Sequence, residues 1–134
     1  MPILYTMPGS CSLSPNIAVA WLNAPIEIRN IAYGDQKKDD YLAINPKGQV
    51  PALRFDDGDV LTEVPAILTW LGATYGKEGF GRDTRLGRKE AEALSYMSSE
   101  VHATYGGHFS TQKFAETEVA QKEVTICTCL PLTI

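Results

Sequence analysis

Two short β-prone runs around an Asp-Gly turn set the strongest limit on how this chain can fold. Ala52-Leu53-Arg54-Phe55 and Val60-Leu61-Thr62 flank Asp56-Asp57-Gly58-Asp59. Such a turn joins antiparallel strands, so the segment reads as a hairpin. After it, Val64 to Tyr75 carries Ile67, Leu68 and Leu71 on one helical face, with Gly76 as the expected C-cap. Before it, Ile3-Leu4-Tyr5-Thr6 is a first strand, ended by Met7-Pro8-Gly9-Ser10. Ser14-Pro15 reads as an N-cap followed by Pro at the first helical position, and Ile17, Ala18, Trp21 and Leu22 continue that helix to Asn23. Ile26 and Ile28 alternate with Glu27 and Arg29 toward Ile31, which predicts a second strand. Gly34 to Asp40 reads as a loop, with a short helix around Asp39 to Ile44 that Asn45-Pro46 breaks. The predicted order is β-α-β-α-β-β-α, a mixed sheet covered by helices and hence an α/β fold.

This first domain is expected to occupy residues 1–77. From Thr84 an amphipathic pattern runs through Leu86, Leu94, Met97, Val101 and Tyr105. Gly106-Gly107 is expected to interrupt it, and a polar helical stretch is expected from Thr111 to Glu123. Residues 83–123 thus read as a partial, all-α second domain, which suits a length of 134 residues. Val124 to Ile134 has no charge, is rich in Thr and β-branched residues, and holds two of the three cysteines. It resembles neither a helix nor a capping strand, and is expected to be an atypical tail and not a native continuation.

A net charge of -4 provides no field to gather nucleic acid or an anionic membrane. An anionic small ligand must therefore be held by local donors. An odd cysteine count, with no signal peptide and no apolar stretch of spanning length, reads as a reduced cytoplasmic protein. His102 and His108 are six apart and do not share a helical face, Cys127 and Cys129 lack C-x-x-C spacing, and no metal is expected.

Three places carry chemistry. Cys11 lies in Gly9-Ser10-Cys11-Ser12, about a turn before a helix N-terminus, where free amide hydrogens and the helix dipole favour a thiolate or a bound anionic sulfur. A small buried hydrophobe is the other reading of such a cysteine. In Gln49-Val50-Pro51-Ala52 a proline stands immediately before a strand, where a cis X-Pro turn would present the Val50 N–H and C=O to a peptide ligand. In Leu61-Thr62-Glu63-Val64-Pro65, the start of a helix can receive a carboxylate while Glu63 accepts from an ammonium. Thr62 as a plain N-cap, with Glu63 favouring the dipole, is the alternative there.

The pieces Tyr5 to Pro15, Leu42 to Ala52, Asp56 to Ile67 and Ser99 to His102 resemble the bacterial beta-class glutathione S-transferases. The resemblance implies a thioredoxin-like, glutathione-binding domain followed by a helical domain. The family's helical domain is longer than the sequence remaining here, which implies that the second domain is incomplete. By the same resemblance Cys11 is the active-site cysteine and Ser12 the polar residue after it. Val50 and Pro51 form the turn that pairs with the cysteinyl-glycine backbone, Glu63 is the γ-glutamyl ligand, and Lys37 or Lys38 meets the glycine carboxylate. His102 falls where the family places a histidine near the sulfur, and Glu100 where a glutamate reaches glutathione across a homodimer interface.

Departures from the pattern bear on activity. Val64-Pro65 replaces a small residue after Glu63, and because Pro65 has no N–H, the Val64 amide must serve the γ-glutamyl carboxylate. Ser95 replaces an asparagine near the sulfur. The expected reaction is attack of glutathione sulfur on an electrophilic carbon, or thiol-disulfide exchange through Cys11, with Ser12, Cys11 and His102 as donors to the sulfur. A monothiol reductase and a catalytically impaired glutathione-binding or interaction domain are the competing readings, since fold alone does not separate them.

Overall fold

The computed structural model describes residues 1–76, 81, 83–109, 111 and 115–129, with side chains described for all of these except 107–109 and 124–129. The chain divides into two compact units, Met1–Glu92 and Ala93–Ile134.

The first unit is a four-stranded sheet of order β2-β1-β3-β4. β1 (Ile3–Thr6) is buried along its whole length, as befits a central strand covered on both faces, which reads as an unbroken apolar run. It pairs in parallel with β2 (Glu27–Asn30), Leu4 opposite Ile28, after the crossover helix α1 (Leu13–Trp21). On its other side it pairs antiparallel with β3 (Ala52–Arg54), Leu4 opposite Leu53, and β3 pairs antiparallel with β4 (Val60–Thr62). The hairpin forms as expected: Phe55 N–H donates to Asp59 O at 2.8 Å, and Gly58 takes a φ of 92° at its tip.

Alternation along the strands splits the core in two. Leu4 and Leu53 point to one face and pack with Val19 of α1 and with Ile67 and Leu71 of α3 (Val64–Tyr75). Ile3, Tyr5 and Ala52 point to the other and pack with Tyr41 of the short helix α2 (Asp39–Leu42), which follows a 3-10 turn at Asp35–Lys37.

Several local expectations need correction. Ser12, not Ser14, occupies the N-cap of α1, because the backbone already turns there: Leu13 N–H donates to Ser10 O and Ser14 N–H to Cys11 O. Pro15 is then the third helical residue, still within the first turn, whose amides have no intrahelical acceptor. Gly76, by contrast, is the C-cap of α3 as expected, with φ -72° and ψ 152°.

In the second half, α4 (Arg85–Tyr96) begins after Thr84, whose hydroxyl oxygen accepts from Gly87 N–H at 3.0 Å. Gly106-Gly107 does not interrupt the pattern but lies within α5 (Ala103–Phe109). A glycine in a helix interior costs only about 1 kcal/mol, which neighbouring turns can absorb. The irregularity lies earlier, in a π-helical turn at Met97–His102, where the Thr104 hydroxyl donates to Glu100 O. Side-chain bonding back to a carbonyl one turn earlier is a known disturbance of helix geometry.

α6 (Glu118–Cys129) starts later than Thr111, with Thr117 Oγ1 accepting from Ala120 N–H. It also runs through Val124–Cys129, so these residues are helical and not the non-helical tail expected. β-Branched residues lower helix propensity by only a few tenths of a kcal/mol, and an established helix propagates easily. Residues 130–134 of the expected tail lie outside the described residues. Among the described residues, no helix is long and apolar enough to cross a membrane.

Candidate functional site

Three loops of the first unit supply the expected chemistry: β1–α1, the turn before β3, and the start of α3. Cys11 is half-buried in the first, and its Sγ lies 3.6 Å from the Val50 carbonyl oxygen, in range for its S–H to donate. Burial pushes the Cys11 thiol above its ordinary pKa; a hydrogen bond to its own backbone N–H opposes this, and the negative charge of Glu63 adds to it. Burial thus works against a thiolate on Cys11 itself and leaves standing the other form of that expectation, an anionic sulfur bound alongside.

Ser12 does not face outward as a donor to sulfur. It is fully buried, its Oγ accepting from Met7 N–H at 2.9 Å while also lying 3.2 Å from Met7 O and 2.7 Å from Ser10 Oγ. The hydroxyl ties the β1–α1 loop to itself and thereby fixes where Cys11 points.

The Val50–Pro51 peptide is cis, as expected. Its approach is held by two residues that the sequence reading assigned no role in the site. The Gln49 carbonyl accepts from Tyr41 Oη at 2.7 Å and from Asn45 Nδ2 at 2.8 Å, and Asn45 Oδ1 accepts from Lys47 N–H at 3.2 Å. Gly48 closes the loop at φ 59°, where a Cβ would meet Gln36 O at 2.9 Å and the Lys37 ammonium at 3.0 Å. Lys37 is thus turned toward this loop, whereas Lys38 is paired with Asp35 at 2.6 Å.

Glu63 stands at the N-cap of α3 with φ 75° and ψ 127°, and makes no side-chain cap. Thr62 is not the cap; its Oγ1 accepts from Lys47 Nζ at 3.0 Å, and the same ammonium pairs with Glu63 Oε1 at 3.0 Å. Lys47 is a third residue missed, since its side chain returns to α3 only after the fold brings the two together. Val64 and Pro65 open α3, so the Val64 amide is the donor nearest Glu63 and Pro65 contributes none.

Cys11, Val50, Pro51, Glu63 and Val64 all belong to the first unit. Glu100 and His102 belong to the second, both exposed on the π-helical turn, with Ser99 Oγ donating to Glu100 Oε1 at 3.3 Å. His108, Cys127 and Cys129 have no described side chains. Among the described residues no group of three or more His, Cys, Asp or Glu side chains is placed to hold a metal ion.

Comparison with known proteins finds relatives of the chain. The family profile described as "Glutathione S-transferase, N-terminal domain" matches residues 9–74. Glutathione S-transferase GST-4.5 of Xanthomonas campestris pv. campestris is 33% identical over 115 residues, covering 84% of this chain and 56% of that relative. The chain spans about half the length of the curated relatives it matches. Among solved structures, a glutathione transferase homologue from Sulfitobacter with bound glutathione superposes with a TM-score of 0.82 at 30% identity, over 96% of this chain and 63% of that one. A bacterial beta-class glutathione S-transferase from Sphingomonas chungbukensis gives 0.74 at 32% identity, over 92% and 64%. The cysteine loop, the Val50–Pro51 turn and Glu63 all fall inside the matched N-terminal segment, and the chain belongs to the glutathione S-transferase family.

Proposed function

We propose that this chain binds glutathione and transfers its sulfur to small electrophiles. The observation that carries the reading is the 3.6 Å approach of Cys11 Sγ to the Val50 carbonyl. It sets a thiol beside the backbone that would pair with the cysteinyl part of the peptide. In this reading Glu63 accepts from the γ-glutamyl ammonium, the Val64 N–H meets the carboxylate beside it, and Lys37 meets the glycine carboxylate. Val50 pairs with the cysteinyl backbone, leaving the ligand sulfur next to Cys11.

The upward push of burial on the Cys11 pKa supports a donor role for it. A group that keeps its proton can donate to the glutathione thiolate, and each unit by which this lowers the ligand's thiol pKa is worth about 1.4 kcal/mol. The thiolate then attacks an electrophilic carbon; a C–S bond forms and the leaving group departs with its electron pair. Exchange through Cys11 itself is the slower route, since the thiolate is the attacking species in disulfide exchange. His102 as a further donor, Glu100 as a contact across a homodimer, residues 1–77 and 83–123 as the functional domains, and a cytoplasmic setting complete the proposal.

Retention on a glutathione-affinity column, with turnover of a generic aryl halide, tests it. Failure to bind glutathione would overturn the reading. Binding without turnover would reduce the chain to a glutathione-binding domain.

A further inference from the structure

A cavity of about 300 Å³ opens on the first unit, its lining including Met1, Ile3, Ile44, Arg54, Asp56 and Val60. Ile3 begins β1, whereas the cysteine loop follows Thr6 at the other end of that strand. The strand register sets Ile3, Arg54 and Val60 side by side across β1, β3 and β4. Alternation puts this row on the sheet face where Ile3, Tyr41, Ile44 and Val60 pack together. Such a row calls for apolar residues, and arginine is rarely taken out of water unless it is paired. Arg54 is half-buried, and among the described residues its guanidinium has no hydrogen bond or ion pair. Asp56, the carboxylate of the same lining, is already held by the Met1 terminal ammonium.

We propose that this cavity binds a small monocarboxylate with an apolar body, at a site separate from the proposed glutathione site. Arg54 holds the carboxylate through a two-point contact, which the planar guanidinium fits and an ammonium does not. Ile3, Ile44 and Val60 take the apolar body. Because Asp56 is already paired, the lining carries one uncompensated positive charge. A monoanion leaves it neutral, and a dianion does not. The volume stands at the lower end of the range for ligand pockets, about 300–1,000 Å³, which limits the occupant to a single ring or a short chain. The apolar walls select against a fully hydrated inorganic anion.

Two-dimensional amide NMR of the full chain under reducing conditions tests this, with benzoate as the probe. Benzoate should shift the amides of Ile3, Arg54 and Val60 saturably, with a dissociation constant on the order of 1 mM for so small a ligand. The amides of Cys11 and Val50 should stay in place. Benzyl alcohol keeps the ring and lacks the charge, and acetate keeps the charge and lacks the ring; each should bind at least about tenfold more weakly. Arg54→Met, which retains the length of the stem, should weaken benzoate about tenfold, the lower end for a charge-assisted hydrogen bond. The contrast between benzoate and benzyl alcohol needs no variant, and decides the question if Arg54→Met does not fold. No saturable shift, equal binding of benzyl alcohol, shifts centred on Cys11 and Val50, or full affinity in a folded Arg54→Met protein overturns the proposal and leaves Arg54 as a cation that keeps its head in water.

Discussion

Asn45→Ala removes the residue that organises the approach to Val50. The side chain is 3% exposed, so water does not readily take its place. It donates to Gln49 O at 2.8 Å and accepts from Lys47 N–H at 3.2 Å. At about 0.5–1.5 kcal/mol for each neutral hydrogen bond, their loss costs about 1–3 kcal/mol. In a unit of this size 1 kcal/mol moves the unfolding midpoint by about 4–8 °C, so a fall of roughly 4–24 °C is expected by calorimetry. Tyr41→Phe removes a single donor to the same carbonyl, and should cost about 1 kcal/mol. Because both donors serve one acceptor, the double variant should lose more than the sum of the singles. Glutathione titration should show weaker binding in both single variants, since the loop they hold carries Val50. An Asn45→Ala protein with an unchanged midpoint and unchanged glutathione affinity would refute the argument that this residue positions the site.

Glu63→Ala should weaken glutathione binding about ten- to a hundredfold, the range for a charge-assisted hydrogen bond. His102→Ala should weaken it less, because the first unit alone carries Cys11, Val50 and Glu63; an equal or larger loss at His102 in the same titration would refute this ordering. Cys11 should be alkylated slowly by iodoacetamide at neutral pH, with a rate that rises at a pH above that of an unperturbed thiol, because burial favours its neutral form. With the folded pKa raised, the folded state holds the proton more tightly, so this contribution is complete below the unfolded pKa and is lost as pH rises through the folded one. A Cys11 alkylation profile centred below the ordinary thiol value would contradict it.

The sheet and its helices were legible because their signals are local. Four β-prone runs, the Asp-Gly turn and the Ile67, Leu68, Leu71 face lie where β1 to β4 and α3 form. The N-cap of α1 was misplaced because Ser14-Pro15 fits a standard helix start, while the earlier turn depends on backbone bonds at Ser10 and Cys11. The π-helical turn at Met97–His102 has no compositional marker, whereas Gly106-Gly107 announces a break that the helix tolerates.

At the site, the residue types and spacing pointed to Cys11, Val50, Pro51 and Glu63. Their environments were another matter. The state of the Cys11 thiol depends on how far the fold buries it and on the charge of Glu63, and whether Ser12 is a donor depends on its being turned into the Met7 loop. Asn45 read only as part of a helix break, and Lys47 drew no reading of its own, because their partners are set by tertiary folding.

Glu63 shows why such a site is hard to read as ordinary structure. Its φ of 75° is left-handed for a residue with a side chain, a conformation that costs about 1–3 kcal/mol. A glycine would take it without strain, and a serine or threonine at that place would cap α3. The chain has neither. It keeps a long, exposed carboxylate that caps nothing, and beside it an ammonium that the helix end disfavours. The strained backbone at Glu63 weakens the isolated fold, and the exposed Lys47–Glu63 pair beside it returns at most about 1 kcal/mol. Conflicts of that kind concentrate where function sets the residue in place of stability. A carboxylate at a helix start, beside the Val64 amide, fits the proposed γ-glutamyl site.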